Sequence, residues 1–484
     1  MNKTFVLCRI KILMTSILCL WYILPVIAQN ENRNEAHTEH YFQQIQKEND
    51  LAKLKMFLHQ MPKGGDLHHH YSGSVYVETY LDWVRDNKLY INSTSFHVEY
   101  DKAMDHISVD SLRKNALLYR QLLSSWSGKD FAFSNSGQSY ASRFFNSFFY
   151  FHRLSKENIN DGLQKLKKRA RIENVQYIET IFHAVDLNVT LGQFDDDLIA
   201  LGQNRDAEGI KTLLAKMHSE IDPRLLNNAV MEYKGMLEKE HAGIDDDKFT
   251  VRFQTYALRN LNPSLVFTQM YAGFAACTNI DALVAINLVG PEHEHVAIRD
   301  YWLHMQMLDF FKNKSEFSDV NVALHAGELA LGMTRPEDLS FHICDALQFG
   351  HAKRIGHGVD IPYEIKNDEI IELMSEKSIP VEINLTSNEY ILGISQNEHP
   401  INIYRDSNVP VVISTDDAGV SRNNLTNEYV LLASRYNVTY LEIKKFVYNS
   451  IQYSFLSSTE KEEQLKELEF RFEQFEKGYA KLSE

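Results

Sequence analysis

The chain has 484 residues, 44% of them hydrophobic and 24% charged, with a formal charge of −15. That length suits one large barrel with additions, or two or three smaller domains. The acidic balance argues against nucleic acid as a partner, because affinity for phosphate comes from neutralisation by Lys and Arg. Small neutral substrates stay open.

Residues 1–28 carry Lys3, Arg9 and Lys11 and no acid, followed by an apolar run from Ile12 to Ile27 and a cleavage-like Val26-Ile27-Ala28. This pattern reads as a signal peptide and predicts a secreted or periplasmic protein with no stable membrane insertion once the leader is removed. The competing reading is an uncleaved anchor, since the run is nearly long enough to span a bilayer. Without these residues the charge falls to about −18, and only Cys277 and Cys344 remain, so one disulfide is open but a disulfide framework is not. Asn92, Asn188, Asn313, Asn384, Asn424 and Asn437 begin glycosylation sequons.

Residues 29–60 are polar and helix-forming, with Tyr41, Ile45, Leu51, Leu54, Phe57 and Leu58 in a rough helical stripe. They predict an N-terminal helical extension packed on the main domain, residues 61–484, or on a second subunit, which would make a homodimer. The stretch Lys63 to Gly73 then carries Asp66, Leu67 and three consecutive histidines. In a strand, His68 and His70 share a face and His69 points away, so two imidazoles can reach one divalent ion.

Val77 to Trp83 predicts a helix, residues 90–127 are mixed, and Gly128 to Gly137 is a small-residue loop. The aromatic cluster Phe144, Phe145, Phe148, Phe149, Tyr150 and Phe151 suits plain core or an apolar lid over a flat substrate. Strands are then predicted at Gln176–Phe182, Phe249–Leu258, Leu283–Val289, Val320–Leu324, Arg354–Gly356, Val381–Leu385 and Val409–Ser414, with helical patterns between, as in Asp368–Lys377 and Glu428–Arg435. Counting the histidine stretch, eight strands alternate with helices. The fold class is therefore α/β, a (β/α)8 TIM-type barrel with an N-terminal helical extension, whose site lies at the C-terminal strand ends. Ser458 to Leu482 reads as a solvated helical cover, and the acid runs Asp195–Asp197 and Asp245–Asp247 as loop surface.

The polar clusters sit at those strand ends: His68, His70, His325, Glu328, His357, Asp416 and Asp417. A catalytic zinc takes imidazole or carboxylate ligands and keeps one position open. His68, His70, His325 and Asp416 supply such a set, and the ion would lower the pKa of its water towards ~7. Glu328 and His357 are left as an acid/base pair. His69, His183, His218, His342 and His351 read as structural, with His183 the one that also follows a strand.

These residues resemble the adenosine deaminase branch of the amidohydrolase superfamily, with a leader and extension like those of the secreted adenosine-deaminase-related growth factors. Met61-Pro62-Lys63-Gly64-Gly65-Asp66-Leu67-His68-His69-His70 is similar to the family's opening motif, one residue longer between Lys and Leu. His325-Ala326-Gly327-Glu328, Arg354-Ile355-Gly356-His357-Gly358 and Ser414-Thr415-Asp416-Asp417 follow in the family's order. The resemblance implies one Zn2+ per chain on His68, His70, His325 and Asp416. It also implies Glu328 protonating purine N1, His357 assisting attack at C6, Asp417 at N7 and the Gly290 amide at N3. The implied reaction is hydrolysis of adenosine and 2′-deoxyadenosine to the inosine product and ammonia. The sequence departs from the family at Ser72, which stands where an acidic ribose contact is usual, at Asn287 in place of Asp, and at Ala418-Gly419 in place of proline. Adenine or a modified nucleoside stays open as substrate, as does a non-catalytic adenosine-binding signalling role.

Overall fold

The structure is a computed structural model and describes residues 33–130 and 139–480. The leader expected over residues 1–28 and most of the small-residue loop lie outside the described residues. Apolar, β-branched runs bounded by turns form strands β1 (Gly65–His70), β2 (Tyr177–Ile181), β3 (Thr250–Leu258), β4 (Leu283–Val289), β5 (Asn321–Ala326), β6 (Arg354–His357), β7 (Val381–Ile383) and β8 (Val411–Ile413). They lie side by side in chain order in one eight-stranded sheet, every neighbouring pair parallel. Parallel strands are covered by helices on their outer face, which is why runs such as β2 are buried along their whole length.

The barrel closes between β8 and β1. The His70 N–H donates to Asp416 O at 3.1 Å and the Asp416 N–H to His68 O at 2.8 Å, forming a bridge between His69 and Asp416. Closure therefore puts residues almost 350 positions apart in contact through their backbones. The β1–β2 register slips by one residue between Asp66 and His69, a bulge directly below the histidines.

Several elements differ from expectation. β5 and β6 run on through His325 and His357, so these histidines are strand residues rather than loop residues. β7 stops at Ile383, because Asn384 leads into the helix Leu385–Leu392, which the sequence reading took as a strand end. Asp195–Asp197 form the first turn of the helix Asp195–Gln203, where acids complement the dipole. Asp245–Asp247 do sit in a loop, tied down by Arg252, Lys167 and Arg171. The mixed region resolves into a small antiparallel sheet of Tyr90–Asn92, Val98–Glu99 and His106–Ile107, followed by the helices Val109–Lys114 and Ala116–Trp126. Asn384 is fully buried, which removes its sequon from the sites a glycan can reach in the folded chain. Among the described residues Cys277 and Cys344 form no disulfide.

The N-terminal extension comprises a helix over residues 33–47 and a second at Leu51–Gln60. Most of its apolar stripe is buried within the chain, at Ile45, Leu54, Phe57 and Leu58, but Leu51 lies off the buried face and is exposed. Phe57 packs on Phe475 and Tyr479 of the C-terminal helix Ser458–Ala480, and Phe42 on Tyr440. Gln46 donates to Ala433 O, and Lys444 pairs with Glu35. The C-terminal helix is a cover with one buried edge, at Leu468, Phe472 and Tyr479. No described helix is long and apolar enough to cross a membrane.

Candidate metal centre and active site

The three imidazoles and one carboxylate converge. His68 Nε2 lies 3.0 Å and His70 Nε2 3.1 Å from His325 Nε2, and Asp416 Oδ1 lies 3.2 Å from His70 Nε2 and 3.6 Å from His68 Nε2. Zinc bonds of ~2.0–2.1 Å in tetrahedral geometry set ligand atoms roughly 3.3–3.4 Å apart, so these spacings suit a single ion. All four groups are buried except His70, which keeps a partly open edge.

The hydrogen bonds behind the rings show what the inner nitrogens carry. His68 Nδ1 meets Glu382 Oε2 at 2.7 Å, and a carboxylate can only accept. His325 Nδ1 meets Asn287 Oδ1 at 2.9 Å; that oxygen also accepts the Leu288 N–H, while Asn287 Nδ2 donates to Gln254, which fixes the amide orientation. Both Nδ1 atoms therefore hold the hydrogen, and the Nε2 lone pairs of the neutral rings face each other beside the Asp416 carboxylate. Lone pairs and a negative charge crowded at one buried point repel unless a cation sits among them, so the donor set fits a divalent metal. Ser387 Oγ donates to Asp416 Oδ2 at 2.6 Å, turning Oδ1 towards the centre.

On the other side of Asp416, His357 Nε2 lies 3.8 Å from Glu328 Oε1 and 3.9 Å from Asp416 Oδ2. Burial, with Asp416 and Glu292 nearby, pushes the Glu328 carboxyl well above its ordinary range. Burial raises Asp417 in the same way, and the Asp416 charge adds to it. At Asp416 burial acts in that direction too, yet the pKa is lowered, because the carboxylate lies against His68, His70 and His357, whose charge when protonated favours the anion, and accepts from Ser387. Burial keeps His357 neutral, its pKa pushed down to about 3. The site thus sets an ionised carboxylate beside two protonated ones, a division that proton-transfer chemistry requires.

The Gly327 and Glu328 backbone amides are held by Glu292, through bonds of 3.1 and 2.9 Å to its carboxylate oxygens. Glu292 is itself anchored by His342 at 2.5 Å and Arg259 at 3.4 Å, and Arg259 also donates to His325 O. Gly73 is required by contact: a Cβ there would meet Asp417 Oδ1 at 1.5 Å. Ser72 lies in the same turn, half-buried, its carbonyl accepting from Tyr80. Gly290 ends β4 at φ 103, and a Cβ there would meet Asn260 Oδ1 at 2.2 Å. Asp416 and His357 have φ of 60 and 69, a strained backbone where the candidate site gathers its side chains.

Sequence reasoning missed the layer below the centre. Arg354 Nε donates to Glu382 Oε1 at 2.5 Å and its other arm reaches Glu179, which accepts from Gln254. A continuous chain therefore runs from His68 through Glu382, Arg354, Glu179, Gln254 and Asn287 to His325. The available signal was the presence of charges inside apolar strands, at Glu179, Arg354 and Glu382. Asn287, one of the departures from the family pattern, faces His325 within this layer. Ser387, Asn388 and Glu292 were also missed.

Among the histidines read as structural, His69 bonds Thr180 Oγ1, His351 pairs with Asp309 and His218 packs on Tyr271. His342 has a larger part, through Glu292. His183 packs on Phe182 and Tyr71. The aromatic cluster forms the helix Tyr140–Glu157, which straddles the mouth: Phe144 meets Tyr390 beyond β7 and Phe145 meets His293 beyond β4. Phe151 is core and Phe149 is exposed.

The family model for adenosine deaminase matches residues 214–470, just over half of the chain. The adenosine deaminase of Clostridium perfringens (strain ATCC 13124) is 33% identical over 181 residues, 37% of this chain and 49% of that protein. That of Clostridium kluyveri is 36% identical over 135 residues, 28% of this chain and 36% of that protein. The chain spans about half the length, or less, of these curated relatives. Among solved structures, the N6-methyl-AMP deaminase from Arabidopsis thaliana aligns with a TM-score of 0.55 at 19% identity, over 86% of this chain and 98% of that one. The adenine deaminase from Arthrobacter aurescens aligns at 0.52 and 14%, over 84% and 98%. At such identities these two likenesses speak for the barrel alone. The match over residues 214–470 takes in the strand ends bearing His325, Glu328, His357 and Asp416, and with it the chain belongs to the adenosine deaminase family.

Proposed function

We propose that this chain is a metal-dependent hydrolase that converts adenosine and 2′-deoxyadenosine to the inosine product and ammonia, with zinc as the metal. The observation that carries this reading is the meeting of three imidazole lone pairs and the Asp416 carboxylate within 4.8 Å of one another, with Glu328 and His357 just beyond. His68, His70, His325 and Asp416 would hold the ion. When bound, it supplies the Lewis-acid charge that makes water an available nucleophile near neutral pH.

The chain's own groups do the rest. Glu328, kept protonated by burial, gives its proton to purine N1, which makes C6 electrophilic. His357 holds the attacking oxygen at C6; of that water's two protons one leaves on the amino group as ammonia and the other returns to Glu328, while the proton Glu328 gave stays on N1 of the product. Asp417, protonated beside Asp416, shares its hydrogen with N7, and the Gly290 amide meets N3. Phe144, Phe145 and Tyr390 offer an apolar cover for the flat base, and Ser72 stands on the sugar side. Export through residues 1–28 belongs to the same reading, and a secreted chain beginning at Gln29 would support it.

The test is a panel of adenine, adenosine, 2′-deoxyadenosine and AMP with purified, metal-replete protein, following ammonia release and purine absorbance. The reading expects turnover fastest on the nucleosides. Folded, metal-loaded protein that turns over none of the four would overturn it.

A further inference from the structure

Behind His357 runs a hydrogen-bond chain whose direction is set at its far end by a group that can only donate. The Ile401 backbone N–H, at the first position of the helix Ile401–Asp406, has no carbonyl of its own helix to bond and donates to His399 Nδ1 at 3.2 Å. A ring nitrogen that accepts carries no hydrogen, so His399 bears its hydrogen on Nε2, which lies 3.0 Å from Asn388 Oδ1. That contact turns the Asn388 amide so that Nδ2 faces His357 Nδ1, 2.9 Å away. Asn384 Nδ2 approaches the same Nδ1 at 3.5 Å. His357, His399, Asn384 and Asn388 are all buried.

We infer that His399 is a positioning residue that, through Asn388, keeps Nδ1 of His357 an acceptor and its hydrogen on Nε2. That N–H has no partner among the described residues and points into the space bounded by Glu328 and Asp416. His357 therefore meets whatever oxygen enters that space as a donor. Resting on the deaminase reading, this means that His357 orients the attacking oxygen and does not strip its proton. Local sequence explains why His399 can serve. Pro400 favours an extended backbone at His399, observed at φ −78 and ψ 129, and so lets the ring turn back over the Ile401 N–H. Burial, with Arg435 nearby, keeps His399 neutral, its pKa down at about 3.

Neutron diffraction from deuterium-exchanged crystals of the metal-loaded protein reads the tautomer directly. Deuterium is expected on Nε2 of both His357 and His399 and on neither Nδ1. Deuterium on His357 Nδ1 with a bare Nε2 overturns the inference. This measurement needs no turnover, so it stands or falls apart from the deaminase reading. Kinetics supply the second arm. His399→Ala frees the Asn388 amide to turn and should lower kcat by about 10–100-fold, with KM within about threefold and unchanged metal content. His399→Gln, whose amide can accept from Ile401 and donate to Asn388, should recover most of that loss. A folded His399→Ala with unaltered kcat overturns the inference, as does an equal loss in both variants.

Discussion

Glu328 has two carboxylates for neighbours, Asp416 and Glu292, and almost no water, and that company decides its protonation. A carboxyl kept neutral at working pH is a proton donor, whereas its amide isostere is not. Glu328→Gln should therefore lower kcat by at least about 10²–10⁴-fold while the protein still takes up one metal per chain. Metal analysis beside the ammonia assay checks both halves, and an active Gln variant would remove Glu328 from the donor role. Lys63 gives a prediction about stability. Its ammonium is fully buried against the carbonyls of His59, Met61 and Glu173, and burial pushes its pKa down to about 7. The folded pKa thus lies below the ordinary value of 10.5, so between the two the unfolded chain binds a proton that the folded chain does not. Stability should rise with pH from about 7 towards about 10 on this account and be flat below 7. Urea unfolding at pH 7 and pH 9 should show the rise, and Lys63→Met should flatten it.

Between elements, the chain of charges under the metal centre joins β2, β6 and β7. Arg354 is nearly inaccessible to solvent and pairs with Glu179 and Glu382, the second of which orients His68. Removing the guanidinium strands two buried carboxylates, which costs about 3–5 kcal/mol. The same change loosens the partner of an imidazole proposed to hold the metal, and for such a partner a 10–100-fold loss of metal affinity is typical, on the order of 1.4–2.8 kcal/mol. Arg354→Met should show both effects, the first in denaturant unfolding and the second in competition with a chelator; normal metal affinity would sever the proposed link. The aromatic helix makes a separable prediction. Phe145 faces His293 across the mouth and is only partly buried, so Phe145→Ala should raise KM about tenfold, roughly 1.4 kcal/mol, with little change in melting temperature. A large loss of stability with unchanged KM would make the helix core rather than cover.

For the whole molecule, the N-terminal extension and the C-terminal helix close over each other at the barrel's edge. Phe42 and Phe57 are fully buried there among Tyr440, Phe475 and Tyr479. Deleting residues 33–49 should lower the melting temperature and promote aggregation through the exposed ring cluster, while metal content stays at the full-length value. Unaltered stability would mean that the extension is dispensable to the barrel. Because Ile45, Leu54, Phe57 and Leu58 of its apolar stripe are already covered, a dimer built on them would need the extension to leave its own chain first.

What the sequence determined by itself was periodic and local. Alternating runs of apolar, β-branched residues and helical stripes specify eight strands with helices between, and strand limits agree with expectation within a residue or two at most positions. The residue types at the strand ends, His68, His70, His325, Glu328, His357, Asp416 and Asp417, were legible because charge and imidazole rarely end a buried run without a task. The tertiary structure decided everything that depends on which remote atoms meet. Closure of β8 on β1 brings Asp416 against the histidines, and no local pattern encodes that pairing. The partners of Glu382, Arg354, Asn287, Asn388 and His399 could not be read locally, since their hydrogen bonds reach residues as many as 314 positions away, as between His68 and Glu382. Direction along such a bond depends on which atom donates, and donors become known only once the fold has chosen the partners.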